Sequence, residues 1–240
     1  MAVRDLVLVG AGGFARECAA AVPDFLALPG SSGWRLLGFA DDDPTRHGTE
    51  VDGHPVLGAA DVVHRWPDAL VVVCTGSPTN WWSRAEVVAR LGLPGHRWAT
   101  LVHATATVPR SCDVGPGAVL MAQTVLTTAV RVGAHVHAMP HVVLTHDDDV
   151  GAFATLAAGV RLAGGVRVGR GAYLGAGALV REHRMIGAGS LVGMGSVVTR
   201  DVPPAEVWAG VPARRLRAAP GPAEPGRLRA TDDDEGDDEC

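Results

Sequence analysis

No stretch of the chain approaches the roughly 20 consecutive apolar residues that a membrane-spanning helix needs. The opening MAVRDLVLVG lacks the basic stretch, apolar core and cleavage site of an export signal, and it enters a strand pattern at once. A cytoplasmic protein is expected, with no membrane partner. Cysteine is scarce. Cys18, Cys74, Cys112 and Cys240 show neither CxxC spacing nor the density of a disulfide scaffold. They read as small buried residues, with Cys240 a free thiol. Basic charge is not in excess either: 21 Lys and Arg face 26 Asp and Glu. Seven of those acids stand between Asp232 and Glu239, so the rest of the chain is close to neutral and offers no basic surface for nucleic acid. Residues 218–240, rich in Pro, Gly and Asp, are expected to be a disordered acidic tail.

What the chain does contain is a repeat. Every sixth residue from Val102 to Val198 is Val, Leu or Ile, with Ala138 the one departure. A helix of period 3.6 cannot keep a period of six on one face, so short strands separated by corners are expected. Glycine often follows the apolar position, as at Gly115, Gly133, Gly151 and Gly169, where a tight coil favours a residue without a Cβ. The position four after the apolar one is mostly small or β-branched and should also point inward. Asp148 and Arg184 break that inward pattern, and each asks for a local explanation. Three hexads to a turn give a prism of five to six turns, stacked at roughly 4.8 Å.

The first hundred residues have a different grammar. DLVLVGAGGFAREC reads as strand, glycine turn and helix start; LLGFADDDP as a strand ending in acids; ALVVVCTGSP as a strand ending at glycine; WWSRAEVVARLG as a helix. This alternation predicts a small parallel sheet of Rossmann type over residues 1–100, followed by the repeat domain over 101–217.

Two places could carry chemistry. In GAGGFA, Gly12 and Gly13 let a backbone approach a phosphate at a helix N-terminus. Such a turn also serves as a plain tight connection, but Asp41, Asp42 and Gly76 fall at the ends of the next two strands, the sheet edge where ligands of such folds bind. Ala15 stands where a dinucleotide motif usually has its third glycine, and one half of this length leaves no second mononucleotide half. In the repeat, His146 and Asp147 interrupt a surface poor in ionisable groups. His146 is two places past inward Leu144 and so points out. One turn further on is Gly164, which leaves room for an imidazole. A histidine beside a carboxylate is either a solvated pair or a general base. His135, His137 and His141 invite a metal reading, but His135 and His141 fall on different prism faces and His137 near a corner, so one subunit converges no metal site. A site across a symmetry axis stays open. Cys112, at an inward position, is expected to be buried and inert.

Taken together, VLVGAGGFAREC, GFADDDP, VDGHPVLG, TLVHATA, THDDDVGAFATLAAGVRLAGGVRVG and AEVWAGVPARRL resemble the sialic acid O-acetyltransferases and nucleotide-4-amino-sugar N-acetyltransferases, in one order from residue 5 to about 217. The resemblance implies a left-handed parallel β-helix, acetyl-CoA as acyl donor, a homotrimer with sites between neighbouring helices, and a nucleotide sugar held by the N-terminal domain. By motif, His146 is the general base and Asp147 the acid beside it. Thr155, Gly164, Gly175 and Met194 match positions near acetyl-CoA, and Gly12, Gly13, Phe14, Asp41, Asp42 and Gly76 match the nucleotide-sugar pocket. Phe14, Asp148 and Thr155 depart from residues often found there: His, Cys and a second His. The implied reaction is direct transfer to the amine of a UDP-, GDP- or dTDP-4-amino sugar, with a backbone N–H near Gly164 supporting the oxyanion. Transfer to a free sugar hydroxyl and a non-catalytic or metal-binding β-helix are the competing readings.

Overall fold

The computed structural model describes residues 2–28 and 30–220. The acidic stretch 232–239 and Cys240 lie outside the described residues, whereas Ala218 closes a strand, Ala213–Ala218.

The N-terminal part is a parallel three-stranded sheet. β1 (Ala2–Val9) lies between β2 (Ser31–Ala40) and a strand at Leu70–Val73, so that the strand ends carrying the glycine turn, the acids and Gly76 share one edge. Leu6, Val7 and Leu8 are fully buried because neighbours cover both faces of β1, which explains an unbroken apolar run in place of alternation. α1 (Gly13–Ala20) starts directly after the turn and buries Ala15, Cys18 and Ala19. α2 (Ser83–Leu91) ends at Gly92 in the left-handed conformation, which a residue without a Cβ adopts freely.

From Leu101 the chain winds into a β-solenoid of two-residue strands, and each from Leu101–Val102 to Leu179–Val180 pairs in parallel with the strand 18 residues on. The inward side chains from Leu120 to Val198 are at most 3 % exposed and form one apolar column. The coil at Val108 is looser: Thr107 makes a single bridge to Val125, and Val108 is only partly buried. Cys112 is likewise half-buried at this open end, less covered than its inward register predicts.

Two kinds of residue make the corners. Gly115, Gly133, Gly151, Gly169 and Gly175 follow the inward residue, where an added Cβ would collide with backbone of the next coil. The second kind escapes a reading of glycine alone. Residues 117, 123, 129 and so on to 195, fourteen in succession, have positive φ whatever their side chain, including His135, His141, Asp147, Phe153 and His183. The left-handed conformation costs a non-glycine residue energy, so the stacked coils impose it.

The solenoid has three faces. One carries Val119–Leu120, His137–Ala138, Thr155–Leu156, Tyr173–Leu174 and Leu191–Val192 and packs on the N-terminal part. A second carries Val125–Leu126, Val143–Leu144, Arg161–Leu162, Leu179–Val180 and Val197–Val198. The third carries Asp113–Val114, Arg131–Val132, Asp149–Val150, Arg167–Val168 and Met185–Ile186. A hairpin of Glu206–Gly210 and Ala213–Ala218 extends the first face. No helix among the described residues is long and apolar enough to cross a membrane.

Candidate active site

His146 and Asp147 stand on the corner between the second and third faces, after Leu144 and before Asp149. The left-handed conformation of Asp147, φ 63°, turns its side chain back beside the preceding residue. His146 Nδ1 lies 2.9 Å from Asp147 Oδ2, and both side chains are exposed. In the tautomer that donates from Nδ1, the lone pair of the ring is on Nε2. That edge of the ring lies against Gly164, where an added Cβ would overlap Nε2 and Cε1. Gly164 is therefore required for this imidazole position. The Gly165 amide donates to the His146 carbonyl at 2.9 Å, while the Gly164 amide has no acceptor among the described residues. A ring nitrogen and a backbone donor without an acceptor among the described residues thus sit side by side.

Gly175 and Met194 are also neighbours, since a Cβ on Gly175 would meet the Met194 backbone, and Met194 is 77 % exposed. They occupy the other edge of the second face, away from His146 in the same chain. Thr155 is elsewhere again: it is buried on the first face, and its Oγ1 accepts from Arg84 at 2.8 Å. One chain therefore does not bring Thr155, Gly175 and Met194 to His146 and Gly164.

Around the glycine turn of the N-terminal part lie two adjoining clefts. One, of about 350 Å³, is lined by Gly12, Gly13, Phe14, Asp41 and Gly76, with Thr75 and Asn80 among its other walls. The second, of about 490 Å³, adds Arg16 and Arg46 beside Gly12 and Gly13. Asp41 plays a structural part, because its oxygens accept from the amides of Ala11 at 2.7 Å and Asp43 at 2.9 Å and so tie the glycine turn to the end of β2. Asp42 lies outside both clefts. Burial works against its ionisation, but the Ala60 amide and the Arg90 guanidinium hold its carboxyl below the usual range.

Nothing in the sequence signalled the junction between the two parts. Arg84, at the second residue of α2, is 1 % exposed and forms no ion pair among the described residues. Its Nη1 donates to the Thr75 carbonyl and meets His137 Nδ1; its Nη2 donates to Thr155 Oγ1 and to the carbonyls of Phe153 and Ala154. Burial lowers its pKa to about 9. His137 was expected near a corner but stands in a strand, buried beneath Phe14 with ring centres 4.5 Å apart. Burial, and then Arg84, push its pKa well down. His135 is held between Trp98 and Phe153, and burial, with Arg84 and Arg170, lowers its pKa to about 4. His141 is exposed on another corner. Of the four histidines of this run, His135 and His137 thus share the junction beside Arg84, while His141 and His146 stand on separate exposed corners.

Neither a family model nor a curated protein sequence matches the chain. Solved structures do. PerB from Caulobacter crescentus, in complex with CoA and GDP-perosamine, is 28% identical over 90% of this chain and 98% of its own, with a TM-score of 0.76. The acetyltransferase domain of PglB from Neisseria gonorrhoeae, in complex with acetyl coenzyme A, is 26% identical over 89% of this chain and 100% of its own, with a TM-score of 0.75. The chain is similar to solved acetyltransferases along nearly its whole length. WeeI from Acinetobacter baumannii, 24% identical over 89% of this chain and 100% of its own at a TM-score of 0.60, shares the fold.

Among residues that the sequence did not single out, Arg16 had a local signal: a cation in the first turn of the helix that follows the glycines. Arg46 reaches the same cleft from the loop after β2 and donates to the Ala11 carbonyl at 2.8 Å. Arg84 had none, because only the packing of two parts decides that its guanidinium is enclosed.

Proposed function

We propose that this chain is an acetyl-CoA-dependent N-acetyltransferase acting on the amine of a nucleotide-linked amino sugar. In this reading residues 1–100 form a Rossmann-like nucleotide-sugar domain, 101–217 a left-handed β-helix, and the protein works in the cytoplasm as a homotrimer. The observation that carries the reading is His146, oriented by Asp147 with Nε2 against Gly164 and its free amide, in a chain similar to structures bearing CoA and GDP-perosamine. Nε2 takes the proton of the acceptor amine as its nitrogen attacks the thioester carbonyl. The Gly164 amide faces the developing oxyanion, the C–S bond breaks, and the proton passes to the CoA sulfur.

The clefts at the glycine turn suit the nucleotide diphosphate. Gly12, Gly13 and Phe14 offer amides at the start of α1; Arg16 and Arg46 stand beside them, paired with Asp52 at 2.7 Å and Asp43 at 3.6 Å, and a diphosphate would take them over from those carboxylates. Asp41 supports the pocket by fixing its turn; Asp42 serves through Ala60 and Arg90. The second face supports the trimer. Val125, Val143, Leu179 and Val197 form an outward apolar strip with Arg161 its one charge, and Leu179 is 39 % exposed. His146 and Gly164 line one edge of that face, Gly175 and Met194 the other. A second copy against it brings the two halves together and opens a groove for acetyl-CoA.

The test is a mass-shift screen of purified protein with acetyl-CoA against UDP-, GDP- and dTDP-4-amino sugars and free sialic acid. An acetylated nucleotide amino sugar is expected; product from sialic acid alone would replace this reading with sugar O-acetylation. His146→Ala should lower kcat by about 100-fold or more with the oligomer intact. Near-normal turnover would remove His146 from the reaction.

A further inference from the structure

Asp148 fills an inward position of the solenoid that valine fills one coil below, at Val130, and one coil above, at Val166. It is 1 % exposed and forms no ion pair among the described residues. The same column carries Arg184 two coils above, but that guanidinium turns outward to Asp201 at 3.4 Å. Asp148 instead binds two backbone amides, with Oδ2 accepting from Thr145 at 2.7 Å and Oδ1 from Val166 at 2.8 Å. Thr145 immediately precedes His146, and Val166 immediately follows Gly164 and Gly165. The carboxylate therefore joins the coil that bears the imidazole to the coil that bears the free amide.

We propose that Asp148 is a positioning residue for acyl transfer, whose carboxylate holds the His146 corner in register with the Gly164 amide. The proposal rests on the reading of His146 as the base. Coulombic partners of the carboxyl are His146 and Asp147 on its own corner. On the coil below, Arg131 is engaged with Asp149 at 3.3 Å; on the coil above, Arg167 is exposed. Burial raises the Asp148 pKa to about 7 against the pull of its two amides. Protonation turns one accepting oxygen into a hydroxyl and gives up one of the two ties. Both ties are then made only as pH rises through neutrality, and the buried charge that makes them costs overall stability.

Asp148→Asn imitates the protonated acid. The ratio of wild-type to variant kcat should grow from about twofold near pH 6 to about tenfold near pH 8, with both KM values within about threefold. The ratio cancels titration of groups common to both proteins, and a purely structural defect would not make it vary with pH. A ratio independent of pH, or a kcat within about twofold at pH 8, would overturn the proposal. Should the variant fail to fold, the amide proton resonances of the wild type decide. Those of Thr145 and Val166 should move downfield together between about pH 6 and pH 8, because a carboxylate accepts more strongly than an acid, and resonances unmoved over that range would overturn it. This readout needs no turnover. Activity persisting in His146→Ala would therefore sink the functional reading separately.

Discussion

The run from His135 to Asp147 supplies two regions of opposite character. At the junction, His135 and His137 are buried, and with Arg84 they are enclosed by carbonyls, a hydroxyl and aromatic rings. At the corner, the side chains of His146 and Asp147 are exposed and, among the described residues, bonded only to each other. The same residue type nine positions apart packs between two parts of the molecule in one place and stands open at the surface in the other. Burial drives the junction imidazoles neutral, whereas exposure leaves the corner imidazole an open nitrogen. A histidine cluster in a six-residue repeat is thus dispersed by the geometry that repeats it.

That contrast can be broken from either side. The largest effect is expected at the junction. Arg84→Met leaves the carbonyls of Thr75 and Phe153 without their donor and should lower stability by about 3 kcal/mol, read as Tm, with kcat of the folded fraction little changed. An unchanged Tm would mean that the guanidinium is not what joins the two parts.

At the corner the separation should run the other way. Gly164→Ala puts a methyl where the His146 ring lies, and because that ring is exposed it can swing out at little structural cost. A loss of kcat of about 100-fold, near 2.7 kcal/mol, is expected with Tm almost unmoved. A variant that keeps its turnover would show that the imidazole does not act from this position.

The smallest effect is on pH. The folded-state pKa of His135 lies below its unfolded value of 6.5, so the unfolded chain binds more protons between about pH 4 and 6.5. Its contribution to stability is present above that window and is lost as pH falls through it. Asp148 has the opposite sign: its pKa is raised to about 7 from 3.8, so stability declines as pH climbs between those values. Urea titrations of His135→Phe should show a stability curve that falls less on acidification than the wild type. Parallel curves would place the burial cost elsewhere.

The solenoid was largely legible because its rule repeats. Any residue off the pattern stood out, and Asp148, Arg184 and His146 were all visible in that way. Their solutions were not. Asp148 is satisfied by amides 3 residues before it and 18 after it, and Arg184 escapes to the surface through Asp201. The N-terminal part has no repeat to be measured against. Its glycine turn was readable, but nothing along the chain foretold that Asp41 binds the turn itself and Asp42 binds Ala60 and Arg90.

What the sequence determined by itself was periodic or local: the hexad register, the inward column, the parallel strands, the outward direction of His146 and its glycine one coil on. Such features follow from neighbours along the chain and from a fixed pitch of 18 residues. What only the tertiary structure decided was which donor meets which acceptor across that pitch and across the junction. Those pairings depend on angles between coils and between two packed parts, and a hydrogen bond is made or lost over a few tenths of an ångström, a scale that no spacing in a sequence carries.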